Sequence, residues 1–298
     1  MAVGAAVLLA LILLVLHFQN LPNPAAQLAF KAKRIEVVDR IRLALASASE
    51  AEKSAVMAIT DEESQVFADQ ARAATATVEQ TRQELEKLLE PSGTKNEQDV
   101  LAQFSQAFAE LQRIDNDLLT LAVKNTNIKA NSLAFGPAAA ALKEMDTALA
   151  RVVAAGGNSS SGADDLKVMH LADGARIAAL RLLTLLPPHI AEESDQKMDE
   201  MEAVMAEEDH AVRQNLEGLA ALPNLSGNPD LTTATARYAR FTELKTQILK
   251  LSRENTNVRS LAISLNQKRK AMLICQDALA ALDQAIQAEP IAAPVSPR

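Results

Sequence analysis

The 298-residue chain has one cysteine, no tryptophan, one tyrosine and seven phenylalanines, and only nine glycines and eleven prolines. A lone Cys275 excludes an internal disulfide framework and a cysteine-based zinc site. So few glycines and prolines leave little material for the frequent turns of a sandwich or barrel. Positive charge is also short: 30 Lys+Arg stand against 38 Asp+Glu, a net charge of −8. A surface that tracks phosphates needs clustered Lys and Arg, so no nucleic-acid partner is expected. What remains is 48% hydrophobic but only 3% aromatic, with much of the apolar content in alanine. That is a helix composition, and the chain is read as all-α. Its length allows one large or two small domains.

Ala2–Phe18 reads AVGAAVLLALILLVLHF and carries no charged side chain. Residues 1–19 are assigned as an N-terminal transmembrane anchor, at the short end of the spanning range. A cleaved signal peptide and a buried core helix are the rival readings. The signal peptide lacks a basic leading region and a small-x-small cleavage site. Lys31, Lys33, Arg34, Arg40 and Arg42 all follow the segment, and the positive-inside rule alone would leave the body in the cytoplasm. That rule is weaker for charges carried on a long folded helix.

Residues 20–25 form a turn-like linker. Six helical stretches follow, at about Ala26–Ile59, a second to Glu90, Asn96–Ala154, Asp164–Leu186, Ser194–Leu222 and Leu231–Ala288. Thr60 with Glu63 fits a capping box at the start of the second. Gly136-Pro137 should kink the third, and Pro187-Pro188 should end the fourth. The Gly/Ser run 156–162 reads as a flexible connector, and the last stretch has no Gly or Pro. The end, residues 289–298, reads as a disordered tail.

An offset of 130 relates the two parts. Leu101, Phe104, Phe108, Leu111, Ile114, Leu118 and Leu121 form a stripe that recurs as Leu231, Ala234, Tyr238, Phe241, Leu244, Ile248 and Leu251. Asn125-Thr126-Asn127 recurs as Asn255-Thr256-Asn257, and Glu62-Glu63-Ser64 as Glu192-Glu193-Ser194. Three matches in constant register argue for internal duplication, with repeats at about 26–155 and 156–288. At 1.5 Å per residue the two long stretches would reach about 85 Å. If they run antiparallel, the layout is two stacked four-helix bundles sharing two long helices. Two separate up-down bundles, turning at each Asn-Thr-Asn, are the alternative.

Enzyme chemistry finds no motif: no GxSxG, HExxH or phosphate-binding glycine loop occurs. The histidines are His17, His170, His189 and His210. Glu207 and His210 make a single Glu-x-x-His where a di-iron bundle needs two. No metal, cofactor or catalytic activity is expected. Met198, Met201 and Met205 read as core filling, and Cys275 as a small buried hydrophobe. The ligand-binding candidates are Asn125, Asn127, Asn255 and Asn257, as a polar gap that hydrogen-bonds a small molecule, and Arg176 and Arg181, as clamps for a carboxylate. The alternatives are a hydrated helix break for the asparagines. For the arginines, the stems would cover apolar surface while the heads reach water.

Three segments carry a family resemblance. They are ASEAEKSAVMAITDEESQVFADQAR (Ala48–Arg72), LAVKNTNIKANSLAFGPAAAAL (Leu121–Leu142) and LSRENTNVRSLAISLNQKRKA (Leu251–Ala271). They resemble the four-helix-bundle sensor region of bacterial methyl-accepting chemotaxis receptors, in its helical bimodular form, over roughly residues 26–288. The resemblance implies an extracytoplasmic, ligand-sensing domain in the bacterial inner membrane. In that family the domain lies between two membrane helices and often senses a small organic anion; this chain is read as single-pass with a periplasmic body, a small organic anion as ligand, and a homodimer or larger membrane complex as its assembly. No second membrane helix or signalling module follows Ala288, so a receptor fragment and an accessory subunit using the bundle as a scaffold are both expected readings.

Overall fold

The computed structural model describes residues 24–156 and 162–291. The expected anchor, most of the Gly/Ser connector and most of the tail lie outside the described residues. Among the described residues the chain is all-helical, and no helix is long and apolar enough to cross a membrane. The order is α1 (Pro24–Met57), α2 (Asp61–Leu89), α3 (Lys95–Ala122), α4 (Thr126–Leu133), a π-turn (Ala134–Ala138) and α5 (Ala139–Gly156). Then come α6 (Gly162–Ala191), α7 (Asp195–Ala220), α8 (Pro229–Glu254), α9 (Thr256–Ile263), a second π-turn (Ser264–Lys268) and α10 (Arg269–Ala288).

Local sequence explains most boundaries. Thr60 Oγ1 accepts from the Glu63 amide (3.1 Å), as the capping box requires. Thr94 and Glu97 complete a reciprocal box at the start of α3, with 3.2 and 2.7 Å bonds. Asn228 caps α8 by accepting from the amides of Asp230 and Leu231.

Three expectations need correction. The fourth helix does not stop at Pro187-Pro188 but continues to Ala191. Proline already has a helical φ, and the buried carbonyls of His189 and Ile190 in this last turn meet side chains of other helices. The last stretch is not continuous: it breaks at Asn255, with φ 52° and ψ 38°. The third breaks in the same way at Asn125, with the same angles, ahead of Gly136-Pro137. The 130-residue offset thus recurs in the backbone, both at these left-handed residues and at the two π-turns.

The chain divides into two compact units, and each draws on both sequence repeats. The first takes the chain up to Lys53, Phe67–Asn116 and the chain from Asn266. It is built from α1, α2, α3 and α10. Val37, Ile41, Leu45, Val78, Leu85, Phe104, Phe108, Leu111, Leu279, Leu282 and Ile286 are buried along its facing sides. Each such side chain contributes roughly 1.5–3 kcal/mol relative to exposure. Phe104 and Phe108 stack at 5.8 Å. Arg34 is buried (3% exposed) and joins α1 to α3 through Glu97 at 3.1 Å, also meeting Glu289 at 2.8 Å.

The second unit takes Ser54–Val66 and Asp117–Leu265. Here α5, α6, α7 and α8 surround one core. Leu142, Met145, Leu149, Leu182, Leu186, Met205, Val212, Leu216, Phe241, Leu244 and Ile248 meet there. Met198 and Met205 are fully buried, as core filling requires. The repeated stripes are buried at six of their seven positions in each copy, with Leu121 and Leu251 half-buried.

Candidate functional site

The two Asn-Thr-Asn segments meet in the second unit and form a reciprocal joint. The Thr126 amide donates to Thr256 Oγ1 (3.2 Å), and the Thr256 amide donates to Thr126 Oγ1 (3.1 Å). The Asn127 and Asn257 amides each donate to the other's side-chain oxygen, both at 3.1 Å. Each segment therefore caps the N-terminus of the other's helix, α4 by α9 and α9 by α4, about a local two-fold. Asn127 Nδ2 also donates to Asn255 Oδ1 (2.7 Å), and Asn257 Nδ2 to Asn125 Oδ1 (3.0 Å). Asparagine enters the left-handed region at less cost than other side-chain-bearing residues, which suits it to both breaks.

The joint reaches outward to neighbouring helix ends. Asn127 Nδ2 donates to the Ile190 carbonyl (2.6 Å) and Asn255 Nδ2 to the Glu192 carbonyl (2.8 Å). Ser252 Oγ lies 3.0 Å from the His189 carbonyl, within hydrogen-bond reach. His189 and Ile190 lie in the last turn of α6, and Glu192 lies just beyond it. On the other side, Asn125 Nδ2 reaches the Thr60 carbonyl (3.3 Å) and Asp61 Oδ1 (3.1 Å). Hydrogen bonds from Lys129 and then Asn125 hold the Asp61 carboxyl below its ordinary value. Buried Ser64 Oγ lies within reach of the Ala55 and Ala122 carbonyls at 3.0 and 3.2 Å.

The candidate asparagines thus come together, with Asn125, Asn127 and Asn255 buried, and their amide groups bond one another and the backbone. The arginines lie elsewhere. Arg181 is 65% exposed along its side chain and pairs with Glu208 at 3.1 Å, so it does not point inward. Three methylenes and a charged head favour that outward course. Arg176 pairs with Asp146 of α5 and with Asp173 at 3.2 Å. It lines an open groove of about 500 Å³ between α5 and α6, floored by Leu142, Met145, Ala179, Leu180 and Leu183. A charged rim over an apolar floor suits a small amphiphilic molecule.

Two polar clusters escaped the sequence reading. In the second unit, fully buried His189 sits between Ser252 and Glu202. Its Nδ1 is 2.8 Å from Ser252 Oγ, and its Nε2 is 2.9 Å from Glu202 Oε1. Arg253 Nε donates to the same Glu202 oxygen at 2.7 Å and its Nη2 to Asp199. In the first unit, buried Lys268 of the second π-turn meets Glu52 at 2.8 Å and Asp115 at 3.0 Å. Burial pushes the Asp115 carboxyl up, against the pull of Lys268. Both clusters were foreshadowed by polar residues in phase with apolar stripes: His189 after Leu182 and Leu186, Glu52 after Leu45 and Ala48. Among the described residues, no three His, Cys, Asp or Glu side chains converge as metal ligands.

No protein-family model matches the chain, and no curated protein is significantly similar to it.

Proposed function

We propose that this chain is a membrane-anchored, extracytoplasmic sensor-type helical domain, resembling the ligand-binding regions of chemotaxis receptors. In this reading the body is periplasmic. The observation that supports it is the reciprocal joint. Both long stretches are interrupted at matching positions, and reciprocal side-chain hydrogen bonds hold the two breaks together. Such a joint has the character of a two-state element, and a ligand that favours one arrangement shifts its population. The groove beside Arg176 is the candidate seat for a small organic anion.

The test is a thermal-shift screen of the full chain against organic acids and amino acids. A ligand at 100 times its Kd stabilises by about 2.7 kcal/mol, a readily measured rise. The reading requires a saturable rise in Tm that Arg176→Ala abolishes. A second reading, a non-enzymatic accessory subunit of a membrane complex, is favoured by one observation: Arg176 is already paired with Asp146 and Asp173. No response in the screen, with stoichiometric co-purification in a larger detergent-solubilised assembly, would select that reading.

A further inference from the structure

His189 is the one buried histidine of the described residues, and its surroundings impose a hydrogen-bond conflict. Glu202 Oε1 accepts from Arg253 Nε as well as facing His189 Nε2. Burial works to raise the Glu202 carboxyl, but the hydrogen bonds from Arg253 and His189 outweigh it and hold it below its ordinary value. An ionised carboxylate only accepts, so Nε2 must carry a hydrogen. In a neutral imidazole Nδ1 is then an acceptor, and it takes the hydroxyl hydrogen of Ser252. That hydrogen is not then available to the His189 carbonyl, 3.0 Å away from the same Oγ. In an imidazolium both ring nitrogens donate. Ser252 Oγ then accepts from Nδ1, and its hydrogen turns to the His189 carbonyl. Ser252 Oγ lies within hydrogen-bond distance of both the ring nitrogen and the carbonyl, so each protonation state offers its hydrogen a partner.

We propose that His189 is a proton-binding site that gates the joint: protonation swings the Ser252 hydroxyl from the imidazole to the His189 carbonyl at the end of α6. The stimulus is then acidification, and the reporter is the α6 terminus gripped by Ser252, Asn127 and Asn255. This deepens the sensor reading and rests on it only for the meaning of the signal. The charged groups acting on the ring are Glu202 from α7 and Arg253 from α8. Asp199 acts through Arg253, and from α9 Arg259 faces Asp195 at 3.8 Å. The joint itself presents neutral amides. Burial depresses the His189 pKa below the usual histidine value, opposed by Glu202 and reinforced by Arg253. The unfolded chain therefore binds the proton at higher pH than the native chain. The stability tied to a neutral His189 is whole above the ordinary histidine pKa and is lost as pH falls from there through the native value.

The experiment is a pH titration of the full chain with labelled histidine, followed by NMR, with His189→Asn to assign the signal. Hydrogen-exchange protection at residues 190–192 is read across the same pH range. The expected result is a titration below the free-histidine value, with a change in protection at the same midpoint. Ser252→Ala should move that midpoint further down, because the imidazolium loses two hydrogen bonds and the neutral ring one. Glu202→Gln should also move it down. A midpoint at the free-histidine value, no titration before acid unfolding, or protection that ignores the midpoint would each overturn the proposal. The ring titration is independent of any groove ligand, so its failure is distinguishable from failure of the thermal-shift screen.

Discussion

Replacing Asn127 by alanine should cost far more than replacing Asn257, although the two occupy equivalent positions 130 residues apart. Asn127 makes three side-chain hydrogen bonds: to Ile190 O (2.6 Å), to Asn255 Oδ1 (2.7 Å) and from the Asn257 amide (3.1 Å). Asn257 makes two in the joint, to Asn125 Oδ1 (3.0 Å) and from the Asn127 amide (3.1 Å). Asn127 is only 6% exposed, whereas Asn257 is half-buried and water can replace part of what it loses. At about 1 kcal/mol per bond, with a further penalty for buried partners left unpaired, Asn127→Ala should destabilise by about 3–5 kcal/mol and Asn257→Ala by about 1–2 kcal/mol. Urea unfolding of the full chain, followed by far-ultraviolet circular dichroism, reads the difference as a shift in midpoint at constant slope. Equal costs for the two variants, or a loss under about 1 kcal/mol for Asn127→Ala, would refute the idea that a hydrogen-bonded joint holds these helices.

Removing Lys268 should leave two buried carboxylates facing each other, so Lys268→Met should cost about 3–5 kcal/mol in a thermal melt. Asp115→Asn should cost less than Lys268→Met in the same assay, because Lys268 keeps Glu52 as its partner. The native state keeps a proton on the raised Asp115 carboxyl over a range where the unfolded chain has lost it, so this group's contribution falls as pH rises through that range. A large loss on Asp115→Asn would show that its charge is needed. Cys275 is fully buried and its thiol is pushed up to about 12, first by burial and then by Asp115. It should resist thiol reagents in the native chain at neutral pH and react once urea unfolds it; rapid native labelling would contradict that burial.

Helix content, the buried stripes, the cap at Thr60 and the 130-residue register were legible in the linear sequence. Each depends on residues within a few turns of one another, or on a pattern that repeats. Cys275 and the methionines were legible as core for the same reason. The breaks at Asn125 and Asn255 were legible as polar punctuation, but their meaning was not. An asparagine can end a helix, turn it or leave it intact, and the outcome depends on what satisfies the freed amides. Here the donors and acceptors lie 130 residues away, each segment capping the other. The same holds for α6, where local chemistry says that two prolines end a helix. Side chains from distant helices, Asn127 and Ser252, meet the carbonyls of its last turn at Ile190 and His189. It holds too for His189 and Lys268, whose charged partners arrive from other helices. Propensity and periodicity act along the chain, but hydrogen-bond satisfaction in a buried site is a property of whatever folding brings there, and only the tertiary structure decides it.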